Sequence, residues 1–345
     1  MKNLLTNVIV IIAFSSCAST NLVHLSVLQP APVTLPPYIK NVVVVNRTEV
    51  SKKSKVFNVI DKAVSLESPN LDKAGSQATI TGLSDELKKN NRFDEVTLLA
   101  NSDLTTDAPG IFPAPLTWDI VEKYCEENNA DALFSLELFD TKSQIDYAVN
   151  KTVIKTVLGN VPAIEQQANM HTFVNAGWRI YDVRGKNILD EAAINRTITF
   201  HANGINPLLA AQALIDRREA VKEVGNIAGH DYAFNIIPLW TRVTRDYYVR
   251  GSGNFKVATR KARTGNWDGA AKLWQAEVNN SKRKIAGRAC YNMAIISEIN
   301  GDVDSAIQWA QKAYENYNNH LALNYINILK NRKIGDAILE DQQPR

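Results

Sequence analysis

Short apolar runs separated by amphipathic stretches fill the first two-thirds of the chain, and helical periodicity takes over afterwards. Residues 41–46 enclose four consecutive valines, the mark of a strand buried on both faces. Ile80, Leu83 and Leu87 fall at helical spacing within residues 76–91, with Asp85, Glu86, Lys88 and Lys89 elsewhere, which predicts a helix. Residues 93–99 read as a second strand, Thr117 as the N-cap of a helix reaching about Asn128, and residues 130–138 as a third strand. Val174, Ala176, Trp178 and Ile180 share one face of residues 170–182 at period two. The turn Asp182-Val-Arg-Gly185 and a return over residues 187–200 complete a hairpin. Asn206-Pro207 predicts the N-cap and first position of one long helix carrying Leu208, Leu209, Ala213, Val221 and Val224, in a region that ends before Pro238. This order implies an α/β domain with a mixed sheet over residues 41–238.

The Ala130-Asp-Ala strand entry and the Asp182-x-x-Gly185 hairpin give this region a pattern that resembles the periplasmic domains of the curli-secretion lipoprotein and the N-terminal domain of TolB. The segment Pro30-Ala-Pro-Val-Thr-Leu-Pro-Pro37 leading into the valine run resembles an uncharacterised family of Bacteroidetes lipoproteins, which brings no activity with it. Residues 18–40 are expected to be a Pro-rich extended tether.

From residue 239 onward the expectation is all-α. Ala258 and Ala294, Gly265 and Gly301, Asn266 and Asp302, and Ala270 and Ala306 recur at a separation of 36 residues. That pattern resembles the tetratricopeptide repeat, whose period is about 34 and whose small residues let paired helices approach. Helices are expected at residues 253–264 and 267–278, then 287–299 and 303–316, with an end helix at 320–330. Glu277 stands where the second pair has Ala313, so the first pair is the less regular. The resemblance carries the groove-lining role to Phe255, Arg263, Arg288, Tyr291 and Glu298. Two repeats are few for independent stability, and Trp240, Tyr247, Tyr248 and Trp267 are candidate packing residues at the junction.

The N-terminus carries an address. Lys2, an apolar run over residues 8–14 and Ser15-Ser16-Cys17 form a secretory signal, residues 1–17, too short for the roughly 20 residues a span requires. Cys after two small residues resembles a bacterial lipoprotein box, which implies acylation at Cys17. Ala18 in place of Asp implies an outer-membrane anchor with the body facing the periplasm. The remaining thiols, Cys125 and Cys290, are expected to be buried separately.

Composition adds restraint. The 345 residues are 45% hydrophobic with a net charge of +3, ordinary for a folded chain and too small to imply nucleic-acid binding. Gly251-Ser-Gly253 lacks the last glycine of a dinucleotide fingerprint, and Ser281-Lys-Arg-Lys284 lacks its companion elements, so both read as loops. No metal or cofactor motif is found, and His24, His171, His201, His230 and His320 are scattered, although His171 and His201 are expected to approach across the hairpin. Asp140, Asp146, Asp182 and Asp190 are candidate carboxylates whose pairing in space depends on the fold. Between Arg242 and Arg288, twelve Lys and Arg face three acids, a local charge of +9 suited to an acidic protein, glycan or lipid headgroup, or simply a solvated helical face. The expectation is a lipid-anchored, non-enzymatic scaffold or adaptor that binds an envelope protein. The alternatives are an envelope glycan or peptide hydrolase using carboxylates of the α/β domain, and a soluble-ligand binding module.

Overall fold

A computed structural model describes residues 19–49, 69–100, 102–106, 111–156 and 159–342. Cys17 and the Lys-rich loop at 51–55 lie outside the described residues. The chain forms two units. Residues 30–239 with the chain end from Leu339 make an α/β unit, and residues 240–338 with the N-terminal strand make a mainly helical unit.

In the α/β unit, β2 (Asn41–Asn46) runs parallel to both β3 (Glu95–Leu99) and β4 (Ala132–Thr156). Beyond β4, β5 (Gly159–Asp182) and β6 (Asn187–Gly204) follow antiparallel, giving a mixed sheet in the order β3-β2-β4-β5-β6. Alternation explains the layers. Val42 and Val44 enter a core with Leu83 and Leu87 of α1 (Pro69–Lys88) and Val221 and Val224 of α4 (Arg217–Ala233). Val43 and Val45 face Val121 and Cys125 of α2 (Trp118–Glu127) on the opposite side. All four valines are buried, as a strand covered on both faces requires. Val174, Ala176, Trp178 and Ile180 are likewise buried together in the first core, with Trp178 stacked on Tyr232 of α4 at 5.0 Å. The hairpin turn closes as Asp182 Oδ1 accepts from the N–H groups of Arg184 and Gly185.

Helices α1 and α4 approach backbone to backbone. A Cβ at Gly229 would stand 2.0 Å from the Thr79 carbonyl oxygen, and one at Gly82 would stand 2.1 Å from that of Asn226. Any side chain there forces the helices apart.

Three expectations about the first two-thirds of the chain are corrected. Residues 19–40, the described part of the expected tether at 18–40, are not a tether. Leu22 to Val27 alternate, Val23 and Val27 are buried, and β1 (Thr20–Gln29) joins the helical unit. Leu35 and Ile39 then pack into the α/β core. The third strand does not end at Leu138; past an irregularity at Leu136/Leu138 it continues at period two to Thr156. The helix after Asn206 is two helices. Asn206 caps α3 (Pro207–Gln212) by accepting from Leu209 N–H, and Asp216 starts α4 afresh by accepting from Arg218 N–H.

The helical unit contains α5 (Gly253–Arg263), α6 (Trp267–Gln275), α7 (Arg283–Ile299), α8 (Val303–Glu315) and, as far as Ile338, α9 (His320–Gln342). The 36-residue period is written in the backbone. Gly265 and Gly301 take φ of +78° and +81°, a conformation that glycine adopts without penalty. Asn266 and Asp302 each accept from the N–H three residues on, Gly269 and Ser305, at 2.8 and 2.9 Å. Ala258, Ala270, Ala294 and Ala306 are all fully buried. Glu277, where the second pair has Ala313, keeps a buried carboxylate by accepting from Ser252, Asn254 and Asn280. A two-stranded ribbon of β1 and β7 (Leu239–Tyr248) completes the unit, so the region from residue 239 is not all-α as expected: it opens with a strand that pairs with the N-terminal one.

Candidate functional site

The helical unit holds an extended segment against its helices, and that segment is its own strand β7. Asn292 of α7, fully buried, grips the backbone of Tyr248 from both sides: Oδ1 accepts from its N–H and Nδ2 donates to its carbonyl, both at 2.7 Å. Tyr247 packs edge-on to Trp267 at 5.5 Å and lies 5.9 Å from Trp274. Val249, just past the strand, accepts from Thr259 Oγ1 of α5. Three of the predicted groove residues meet around this strand. The Tyr291 ring lies 5.3 Å from that of Tyr248, and the Arg288 guanidinium sits over the Tyr248 ring at 4.9 Å. Glu298 pairs with Arg245 of β7 through both oxygens, each at 2.9 Å. Phe255 is buried in the core and Arg263 is exposed at the end of α5. Of the candidate junction aromatics, Tyr247, Tyr248 and Trp267 pack inside the helical unit, while Trp240 is 67% exposed.

Glu298 is the electrostatic centre of this arrangement. Besides Arg245 it accepts from Arg332 at 3.0 Å and Tyr325 OH at 2.5 Å. Burial pushes its carboxyl up, but the bonds from Arg245, Tyr325 and Arg332 outweigh this and hold it below its ordinary value. Asn292 went unremarked in the sequence, although a lone Asn between Ala289 and Ile295, both buried, is a detectable signal for an internal backbone clamp.

The basic segment lies in this unit, and of its twelve cations only Arg245 is ion-paired among the described residues. On α5, Lys256, Arg260 and Arg263 are exposed at spacings of four and three, which puts them on one face of the helix.

In the α/β unit, the four candidate carboxylates are held by separate partners or exposed. Asp182 accepts from Tyr38 OH at 2.5 Å and Asp190 from Tyr232 OH at 2.7 Å, while Asp140 is exposed. Asp146 accepts from Asn169 Nδ2 at 2.8 Å and lies 2.6 Å from His171 Nε2. These two neighbours hold its carboxyl below its ordinary value. His171 and His201 share that face without bonding to each other; His171 contacts Thr199 and His201 contacts Asn169. Among the described residues no group of three or more His, Cys, Asp or Glu is placed to hold a metal. Glu137, fully inside, accepts from Arg47, Arg179 and Tyr181, while Arg47 and Arg179 donate on to the Ala114 and Pro113 carbonyls. That network fastens the segment around Pro113 and Ala114, which leads into α2, to the sheet.

Cys125 and Cys290 are free and buried. Burial, with Asp131 nearby, pushes the Cys125 thiol up to about 12, and burial pushes Cys290 up to about 11, so both are poor nucleophiles. No helix among the described residues is long and apolar enough to cross a membrane.

The chain belongs to the family described as Domain of unknown function (DUF8603), whose match spans residues 39–248. Residues 256–331 match a second family of the same standing, Domain of unknown function (DUF6340). A search of curated proteins found no match. Similar solved structures include a PelC dodecamer from Paraburkholderia phytofirmans, at 12% identity and TM-score 0.24, covering 61% of this chain and 95% of that one. Another is a putative neuraminyllactose-binding hemagglutinin homolog from Helicobacter pylori, at 12% identity and TM-score 0.21, covering 68% and 94%.

Proposed function

We propose that this is a lipid-anchored cell-envelope protein that acts as a non-enzymatic adaptor for an acidic partner protein. Its anchor is an acylated Cys17 and its location the periplasm-facing side of the outer membrane. The α/β unit serves as a platform of the curli-secretion and TolB kind, and the helical unit is a pair of tetratricopeptide-like repeats. The observation that carries the reading is the exposed row Lys256, Arg260 and Arg263, which no carboxylate among the described residues neutralises. Strand β7 already occupies the groove positions, so the partner docks on this outer row. Unpaired cations on one helix face steer an anionic partner and lose that pull in salt.

Chemical cross-linking of the acylated chain in intact envelopes tests this. The reading expects a captured protein that disappears in the Lys256→Glu/Arg260→Glu/Arg263→Glu variant. It fails if that variant captures the same protein to the same extent. The anchor is tested by fractionation: Cys17→Ser is expected to release the chain from membranes washed in high salt, and retention contradicts acylation there.

A further inference from the structure

The β4–β5 hairpin runs past the helices that cover its base, and it does so with two unlike faces. In the antiparallel register, Tyr147 pairs with Ala168, Val149 with Gln166, Lys151 with Ile164 and Val153 with Pro162. Directly opposed residues share a face, so Tyr147, Val149, Val153 and Ile164 lie on one side. This is the side that carries Val174, Ala176 and Trp178 further down β5, where α1 and α4 bury them. Out on the hairpin nothing covers it among the described residues: Val149 is 64% exposed and Ile164 is 67% exposed. Helix α3 packs on the same side, since a Cβ at Gly204 would stand 2.4 Å from Ala210 N, and it presents Leu208 and Leu209 to solvent. The opposite side is polar, with Asp146, Asn150, Gln167 and Asn169 joined by hydrogen bonds.

Charge selects the occupant. Lys151, opposite Ile164 and between Val149 and Val153, lies on this same face, and no acid shares it from Tyr147 to Val153 or from Ile164 to Ala168; Asp146 and Glu165 fall on the reverse side. An apolar face that carries one lysine and no acid, with a tyrosine at its inner limit and a polar reverse side, has the chemistry of an element that lies in the interface of an anionic bilayer. We infer that this face of the hairpin rests on an anionic membrane surface, its valines and isoleucine in the headgroup boundary and its polar side in water. The contact requires no lipid on Cys17 and stands independently of the adaptor reading.

The test uses the full chain with Cys17→Ala, so that no acyl group contributes, and a polarity-sensitive fluorophore on a new cysteine. Cys125 and Cys290 are buried and stay unlabelled. Labels at Val149→Cys and Val153→Cys report the apolar face, Thr152→Cys the opposite face and Asp103→Cys an exposed remote loop. With vesicles of phosphatidylglycerol and phosphatidylethanolamine at low salt, emission at 149 and 153 is expected to shift to the blue, while labels at 152 and 103 stay unchanged. In vesicle flotation, Lys151→Glu is expected to weaken association about tenfold, and Val149→Asp/Val153→Asp to abolish its hairpin-dependent part. The inference is overturned if no label shifts. It is equally overturned if all four labels shift alike, or if 149 and 153 shift without vesicles as protein concentration rises. That last result assigns the face to a second copy of the chain.

Discussion

The two units solve one packing problem with different residues. In the α/β unit, α1 and α4 touch backbone to backbone through Gly75, Gly82, Gly225 and Gly229. In the helical unit, Ala258, Ala270, Ala294 and Ala306, one on each of the paired helices, are fully buried in one shared core. Glycine allows the closer approach but weakens each helix by about 0.5–1 kcal/mol against alanine, so it belongs where two backbones must nearly touch. Alanine suffices where one methyl layer fits between helices. The glycine interface therefore tolerates nothing larger, whereas the alanine interface has a methyl group's worth of room.

Substitutions break or sharpen that contrast. Gly229→Val drives side-chain atoms into the Thr79 carbonyl and is expected to destabilise the α/β unit by about 3 kcal/mol or more. Ala306→Val is expected to reduce stability by about 1–2 kcal/mol. Peptide-resolved hydrogen exchange in urea assigns each loss to its unit, and equal losses would contradict the contrast.

Electrostatic anchoring in the helical unit comes next. Glu298→Ala strips Arg245 and Arg332 of their shared carboxylate and is expected to cost about 2–3 kcal/mol, below the value for a fully buried pair because both arginines keep some solvent. The sign with pH follows from its depressed carboxyl. The stabilisation is complete above the unfolded carboxylate pKa and is lost as pH falls through the lower folded value. Acid titration of the parent should therefore show a loss that Glu298→Gln lacks. A parallel pH dependence in both proteins contradicts the assignment.

Asn292→Ala leaves the buried N–H and carbonyl of Tyr248 without partners, an expected loss of about 2 kcal/mol with faster exchange along β7. The smallest effects belong to the repeat turns. Gly265→Ala and Gly301→Ala each force a left-handed residue and should each cost about 1 kcal/mol. Thermal unfolding that separates the two by more than a factor of two would show that the turns are not equivalent.

The alanine interface was legible in the sequence because its members recur at one spacing together with the turn residues Gly265 and Gly301. The glycine interface was not. Gly75 and Gly82 sit in a helix far along the chain from Gly225 and Gly229, and only the fold makes them neighbours. The buried strands were readable from continuous valines, and the hairpin from its period of two and its Asp182 turn. Strand β1 was hidden because prolines follow it closely, which suggested one continuous tether. The resemblance expects Arg288, Tyr291 and Glu298 to line a groove; in the structure they meet Tyr248 and Arg245 of the internal strand β7, and sequence spacing carries no record of which extended segment will dock. The polar Asn292 on a buried helix face was the available clue.

Amide exchange on the intact chain, with and without poly-L-glutamate as an acidic probe, tests the closed groove and the open basic face together. The account predicts that the Tyr248 amide exchanges slowly in both samples while residues 253–263 slow further when the polymer is added. Rapid exchange at Tyr248, or its acceleration by the polymer without slowing of residues 253–263, would contradict it.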